Sequence, residues 1–171
     1  MVTELDTLRL EKDAFFASDP QSPLTLEQKR TFVRLTYFPE NTDLRLELAA
    51  EGDLRKERID MQTSTGDVQA YERHCRLHFL VDGVRSELTI FEGPNGFFLP
   101  FIDSLAGIHS YPAGRYLEPE QLPGGRFLVD FNLAYNPYCA YNERWSCPIT
   151  PSENRLVVPI RAGEKLFRSH Q

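Results

Sequence analysis

The run VQAYERHCRLHFLV at residues 68–81, followed by Asp82-Gly83 and then VRSELTIF at 84–91, constrains the fold more than any other feature. Cys75, Leu77, Phe79 and Val81 recur at every second position, the period at which a strand turns one face to a core. His74, Arg76, His78 and Leu80 share the other face. Asp-Gly is a two-residue turn whose backbone twist suits antiparallel strands, so the two runs predict a β-hairpin.

The alternation continues on both sides. Leu44, Leu46 and Leu48 alternate with Arg45 and Glu47, and a run at 56–64 reaches the turn signal Thr65-Gly66-Asp67. Pro94-Asn95-Gly96 then turns the chain into 97–101. Three hairpin-like units in succession predict a mainly β fold, an antiparallel meander forming a barrel or sandwich. Further strands are expected at 115–117, 127–131 and 156–160, with an ordered loop at 102–114. Ahead of the sheet, residues 4 to about 17 read as an amphipathic helix carrying Leu5, Leu8, Phe15 and Phe16, stopped by Ser18-Asp19-Pro20. Thr25 and Gln28 make a capping box for a short helix at 25–31. This helical arm, 1–32, is expected to pack on the outside of the sheet. With the scaffold at 44–168 it makes one domain spanning 1–171, long enough to close a core without a staple.

Charge excludes one class of partner. The formal charge is −6, with no Lys/Arg stripe to displace the counterions of a nucleic acid. No apolar run is long enough for a membrane helix, and the charged start MVTELDTLRLEKD lacks the apolar core of an export signal. A cytoplasmic location is therefore expected, and an odd set of three cysteines fits reduced thiols there.

Two segments break the strand pattern with polar and aromatic residues. Residues 130–154, DFNLAYNPYCAYNERWSCPITPSEN, hold Cys139, Cys147, the only tryptophan and four asparagines. Residues 102–116 carry Asp103, Ser104, His109, Tyr111 and Arg115. Arg115 can fork onto a carboxylate or phosphate of a ligand, or pair with an internal acid such as Asp103 or Asp130. Gly114 beside it suggests a special backbone angle under either reading. His74 and His78, as an HxxxH pair on a strand, lie about 13 Å apart and cannot share an ion. Cys139 and Cys147 stand eight apart without a second pair, so neither a metal nor a cofactor is implied. They read as buried thiols, or as a redox switch if their Cα atoms come within about 6–7 Å. Cys139 as a nucleophile requires a base and an anion-binding group, roles His109 and Arg115 could fill.

The runs FLPFIDSLAGIHSYPAGRYL and DFNLAYNPYCAYNERWSCPITPSENRLVVPIRAGEK, with the upstream pieces KDAFF, DPQSPL, TYFPE and MQTSTGDVQAY, resemble an uncharacterised family, domain of unknown function 1684. The resemblance covers nearly the whole chain. It implies that the two polar segments belong together, and it names no substrate. The matching polar positions are Asp103, Tyr111, Arg115, Tyr116, Asp130, Asn132, Tyr135, Asn136, Cys139, Cys147, Glu153 and Asn154, whereas His109 stands where members vary.

The expected function is binding of a small polar or anionic ligand between the 103–116 loop and the 130–154 segment. Tyr111, Tyr135 and Tyr141 would supply walls. Asp103, Arg115, Asn132 and Asn136 would orient the ligand, and Asp130, Cys147, Glu153 and Asn154 would lock the loops. One rival is a hydrolase or thiol-dependent enzyme using Cys139. Another is a structural or protein-interaction module. No oligomeric state follows from the sequence.

Overall fold

The computed structural model describes residues 1–52 and 56–168. Residues 53–55, within the expected scaffold, and 169–171, at the end of the expected domain, lie outside the described residues. The predicted alternation becomes two antiparallel sheets. Strands β2 (Arg58–Gln62), β3 (Val68–Val81), β4 (Val84–Gly93), β5 (Gly96–Phe101) and β6 (Arg115–Leu117) pair in chain order as a five-stranded meander. Strands β1 (Arg45–Ala49), β7 (Glu120–Leu122) and β8 (Arg126–Asp130) form a second sheet in the order β1-β8-β7. The arrangement is sandwich-like and not a closed barrel.

The β3–β4 hairpin pairs Val81 with Val84 and Leu77 with Leu88. Its turn places Asp82 at φ 50° and Gly83 at φ 77°, the left-handed geometry that an Asp-Gly turn supplies. Leu77, Leu88, Ile90 and Leu99 of the large sheet meet Phe127 and Val129 of the small one in one core. A bulge between Arg73 and Cys75 leaves His74 without a partner across the ladder. The ring therefore tucks against Phe97 and Phe127, at centroid distances of 4.7 and 5.8 Å, instead of standing out with Arg76. His74 and His78 each face their own carboxylates, Glu92 for the first and Glu51 and Glu87 for the second.

Three expectations change. The 156–160 segment is not a strand. Pro159 has no N–H for a ladder, and the backbone there makes only separate bonds, Leu156 N–H to the Ile102 carbonyl at 2.7 Å, Ser104 N–H to the Val158 carbonyl at 3.1 Å and Ile160 N–H to Asp103 at 2.7 Å. Strand β7 has only three residues and no alternation, and it paired with β8 unannounced. The helical arm does not lie on a sheet face. Helix α1 (Glu4–Ser18) buries Phe16 against Leu24, Leu35 and Tyr141, a second small core built on the 130–154 segment. Helix α2 (Leu26–Thr31) has the predicted capping box, and its Gln28 also donates to the Tyr141 carbonyl at 2.6 Å. No helix among the described residues is long and apolar enough to cross a membrane.

Candidate functional site

Two different constructions are made from the polar segments. The first is internal. Gly114, at φ 96°, lets the chain pass against the Phe101 carbonyl and the Ile102 side chain where a Cβ would clash, and this aims Arg115 inward. The Arg115 side chain is fully buried. Its guanidinium donates to the carbonyls of Ile160 (2.9 Å), Glu164 (3.2 Å) and Ala162, and lies 3.4 Å from the Asp103 carboxylate. Burial lowers its pKa, against the pull of Asp103 and Glu164. Asp103 also accepts from Ser110. The remaining members are tied in the same way. Asn132 exchanges hydrogen bonds with the Asn41 backbone (2.8 and 2.9 Å) and donates to Asp130. Asn136 donates its backbone N–H to Glu164 and its side-chain amide to the Lys165 carbonyl. Asn154 bridges β4 and β5 through Thr89 N–H, the Thr89 carbonyl and the Pro100 carbonyl. Glu153 takes the Arg73 fork and the Thr89 hydroxyl. The groups expected to orient a ligand thus bond mostly to the protein itself, with the Arg115 Nε and the Asn136 side-chain oxygen left without a partner among the described residues.

The second construction opens to solvent. A cleft of about 870 Å³ runs between α1 and residues 135–148. Its aromatic walls are Phe15, Phe16, Tyr116, Tyr135, Tyr138 and Trp145. Tyr135 stands edge-on to Tyr116, and the Lys12 ammonium lies 5.1 Å from the Tyr135 ring centre. Behind Lys12 is buried Glu164, which pairs with it and also accepts from the Tyr141 hydroxyl at 2.9 Å. Tyr135 donates its hydroxyl to Glu118. Burial pushes the pKa of both Tyr116 and Tyr135 well above the ordinary phenol range, so their hydroxyls stay neutral donors. Tyr141 is not a wall of this cleft, because its ring is buried against Phe16. Lys12, Glu118 and Glu164 were missed by sequence reasoning. Lys12 and Glu164 were signalled only by membership of the short matching runs KDAFF and AGEK, and Glu118, one residue past GRYL, by nothing.

Cys147 lines the cleft, and half-buried Cys139 stands beside it. The Cys139 backbone N–H donates to Cys147 Sγ at 3.3 Å, and the Tyr111 hydroxyl is 3.7 Å from Cys139 Sγ. The Cys147 thiol lowers the Cys139 pKa to about 6, with Tyr111 and Ser64 assisting against the opposing effect of burial. Cys147 and Tyr111 move the other way, Cys147 chiefly through its contact with Cys139 and then burial, and Tyr111 to about 12 chiefly by burial. Neither His109 nor Arg115 is set against Cys139. His109 lines a separate groove with Arg34 and Lys165, and Arg115 is enclosed in the interior. Among the described residues, no group of three or more His, Cys, Asp or Glu side chains could hold a metal ion.

A sequence profile described as a protein of unknown function, DUF1684, matches residues 30–165. A solved structure is also similar, the solution NMR structure of an uncharacterised protein of Haloarcula marismortui. It is 36% identical, with a TM-score of 0.69, over 95% of this chain and 92% of that one. No curated protein matches. The chain belongs to the DUF1684 family of proteins of unknown function.

Proposed function

We propose that this member of the family binds a small polar ligand in the cleft between α1 and residues 135–148. The observation that supports this reading is the convergence of six aromatic walls with Lys12, Glu118 and the Tyr135 hydroxyl around one open space. The cleft lies one layer out from the position expected, with Tyr116 and Tyr135 on its wall and Arg115 behind it. A flat ring would stack on one of Tyr138 and Trp145 and meet the other edge-on, since those two rings stand at 65° to each other, and a hydrogen-bonding edge would face Glu118 and Tyr135. The charges favour a neutral or cationic ligand over an anionic one. Glu11 and Glu118 both line the cleft, and its one lysine already faces Glu164.

Trp145 is the only tryptophan, so its emission reports on the cleft directly. A titration of small ring-bearing polar compounds is expected to give a saturable emission change that Tyr138→Ala weakens at least tenfold. If no compound gives such a change, or if Tyr138→Ala leaves the affinity unchanged, the reading fails and an interaction or purely structural role takes its place.

A further inference from the structure

We propose that Cys139 and Cys147 form a redox dithiol that reduces a hydroperoxide, Cys139 attacking as thiolate and Cys147 resolving the product into an intramolecular disulfide. The inference stands apart from ligand binding in the cleft and rests on how the two sulfurs are held. Cys147 Sγ lies 3.3 Å from the Cys139 backbone nitrogen, so the two residues are already within one side chain's reach. The segment between them is pinned. Cys147 N–H donates to Ser64 Oγ at 3.1 Å, Ser64 N–H donates to the Cys147 carbonyl at 2.9 Å, and Ser64 Oγ donates to the Trp145 carbonyl at 3.0 Å. At the other end the 3-10 turn Tyr138–Ala140 fixes Cys139.

The two thiols are also unequal in the way such a pair requires. Cys139 is half-buried, while Cys147 is more deeply buried in the cleft wall and has a raised pKa. The groups facing Cys139 are Cys147, Tyr111 and Ser64, with Glu143 near Tyr111. Tyr111 can donate its O–H to the thiolate. The third cysteine, Cys75, lies in the β3 core with its pKa pushed up to about 11 by burial, and it supplies an internal control.

The chemistry balances without a cofactor. The Cys139 thiolate attacks one oxygen of ROOH, the O–O bond breaks, and RO⁻ leaves as ROH with the proton that the thiol gave to solvent. Cys139 is then the sulfenic acid. Cys147 sulfur attacks Cys139 sulfur, the S–O bond breaks, and hydroxide leaves as water with the Cys147 proton. Two thiols are oxidised to one disulfide and ROOH is reduced to ROH and water.

The rate advantage at neutral pH is small. A low-pKa thiol is mostly thiolate but intrinsically less nucleophilic, and the two effects leave only about a twofold gain over an ordinary thiol near pH 7. Near pH 5.5 the gain grows to on the order of tenfold, because the ordinary thiol loses its thiolate. The pH profile is therefore the signature.

The experiment treats the folded chain with one equivalent of hydrogen peroxide at about pH 6 and reads the denatured mass. A loss of two hydrogens, with a peptide joining Cys139 to Cys147 and Cys75 left free, is expected. Cys147→Ser should accumulate a Cys139 sulfenic acid that a 1,3-dione traps, and Cys139→Ser should give neither product. An unchanged wild-type mass, or a bridge that includes Cys75, overturns the proposal. So does a Cys139 reaction rate that falls tenfold per pH unit from neutrality downward. These three readouts use the unmutated protein, so they hold even if a variant fails to fold.

Discussion

The interior around Arg115 and the open wall around Cys139 are drawn from the same two polar segments, yet they are finished differently. Around Arg115, the guanidinium, the Asp103 carboxylate and the amides of Asn132 and Asn154 meet protein partners within hydrogen-bonding distance. Around Cys139, the thiol is half-buried, displaced in pKa and set beside a cleft. A buried polar group tied by several partners holds a fold in one arrangement, whereas a partly accessible perturbed one is free to meet something else. Polar composition alone does not separate the two. Burial and partner count do.

The sharpest way to break the interior is Arg115→Leu. Removing the guanidinium leaves the Asp103 carboxylate and the carbonyls of Ile160 and Ala162 buried without it, a loss of roughly 3–5 kcal/mol. Urea unfolding should show it, and Arg115→Lys should recover only part, since an ammonium cannot fork across three carbonyls. A loss below about 1 kcal/mol would show that the interior tolerates the change by letting water in. Next in size is Asn154→Ala. It strips the Thr89 and Pro100 backbone groups of their side-chain partner between β4 and β5, for about 2–3 kcal/mol. Amide exchange at Thr89 should quicken in step with the loss.

Glu153→Gln tests the rim of the same construction, and its sign depends on pH. Burial raises the Glu153 pKa, but the Arg73 fork and the Thr89 hydroxyl outweigh it and the net shift is downward. A carboxyl with a depressed folded pKa contributes stability above its unfolded value of about 4.3, and that contribution is lost as pH falls through the folded value. The variant should therefore cost roughly 1 kcal/mol at neutral pH, discounted because the pair is partly solvated, and almost nothing once Glu153 is protonated. A cost that is constant with pH would assign it to packing.

The comparison also shows what the sequence could carry. Period-two alternation at Cys75, Leu77, Phe79 and Val81, together with the Asp-Gly turn, was enough to read the β3–β4 hairpin, because both signals are local. Strand β7 was invisible, since Glu120-Gln121-Leu122 is too short to show a period. Leu156, Val158 and Ile160 alternated like a strand and are buried like one, yet the segment makes only separate bonds to Ile102, Ser104 and the Asp103 carboxylate and no continuous ladder. Around the site, Tyr135, Cys139 and Cys147 stood out by composition. Lys12 and Glu118 did not, because each reaches the cleft from a different element across the fold. The inward aim of Arg115 depends on Gly114 and on carbonyls about 45 residues further along, and nothing local in the sequence reports those.

Tyr111→Phe is expected to give the smallest stability effect and the clearest contrast with the interior. Tyr111 is half-buried and its hydroxyl's partner among the described residues is Cys139 Sγ at 3.7 Å, so deletion should change unfolding free energy by no more than about 0.5 kcal/mol. Reactivity should move instead. A hydrogen bond to the thiolate favours the charged form, so its loss raises the Cys139 pKa from about 6 toward the ordinary thiol value. The shift should be partial, because the Cys147 thiol, the largest cause, remains in place. Iodoacetamide alkylation followed across pH would show a midpoint displaced upward, with the plateau rate unchanged or slightly raised as the thiolate becomes more basic. The same phenol-to-phenyl change at Tyr141, whose hydroxyl bonds buried Glu164, should do the reverse, costing stability and leaving the alkylation midpoint where it was. If both variants lose stability alike and neither moves the midpoint, the Cys139 wall is part of the interior after all, and the distinction between the two regions collapses.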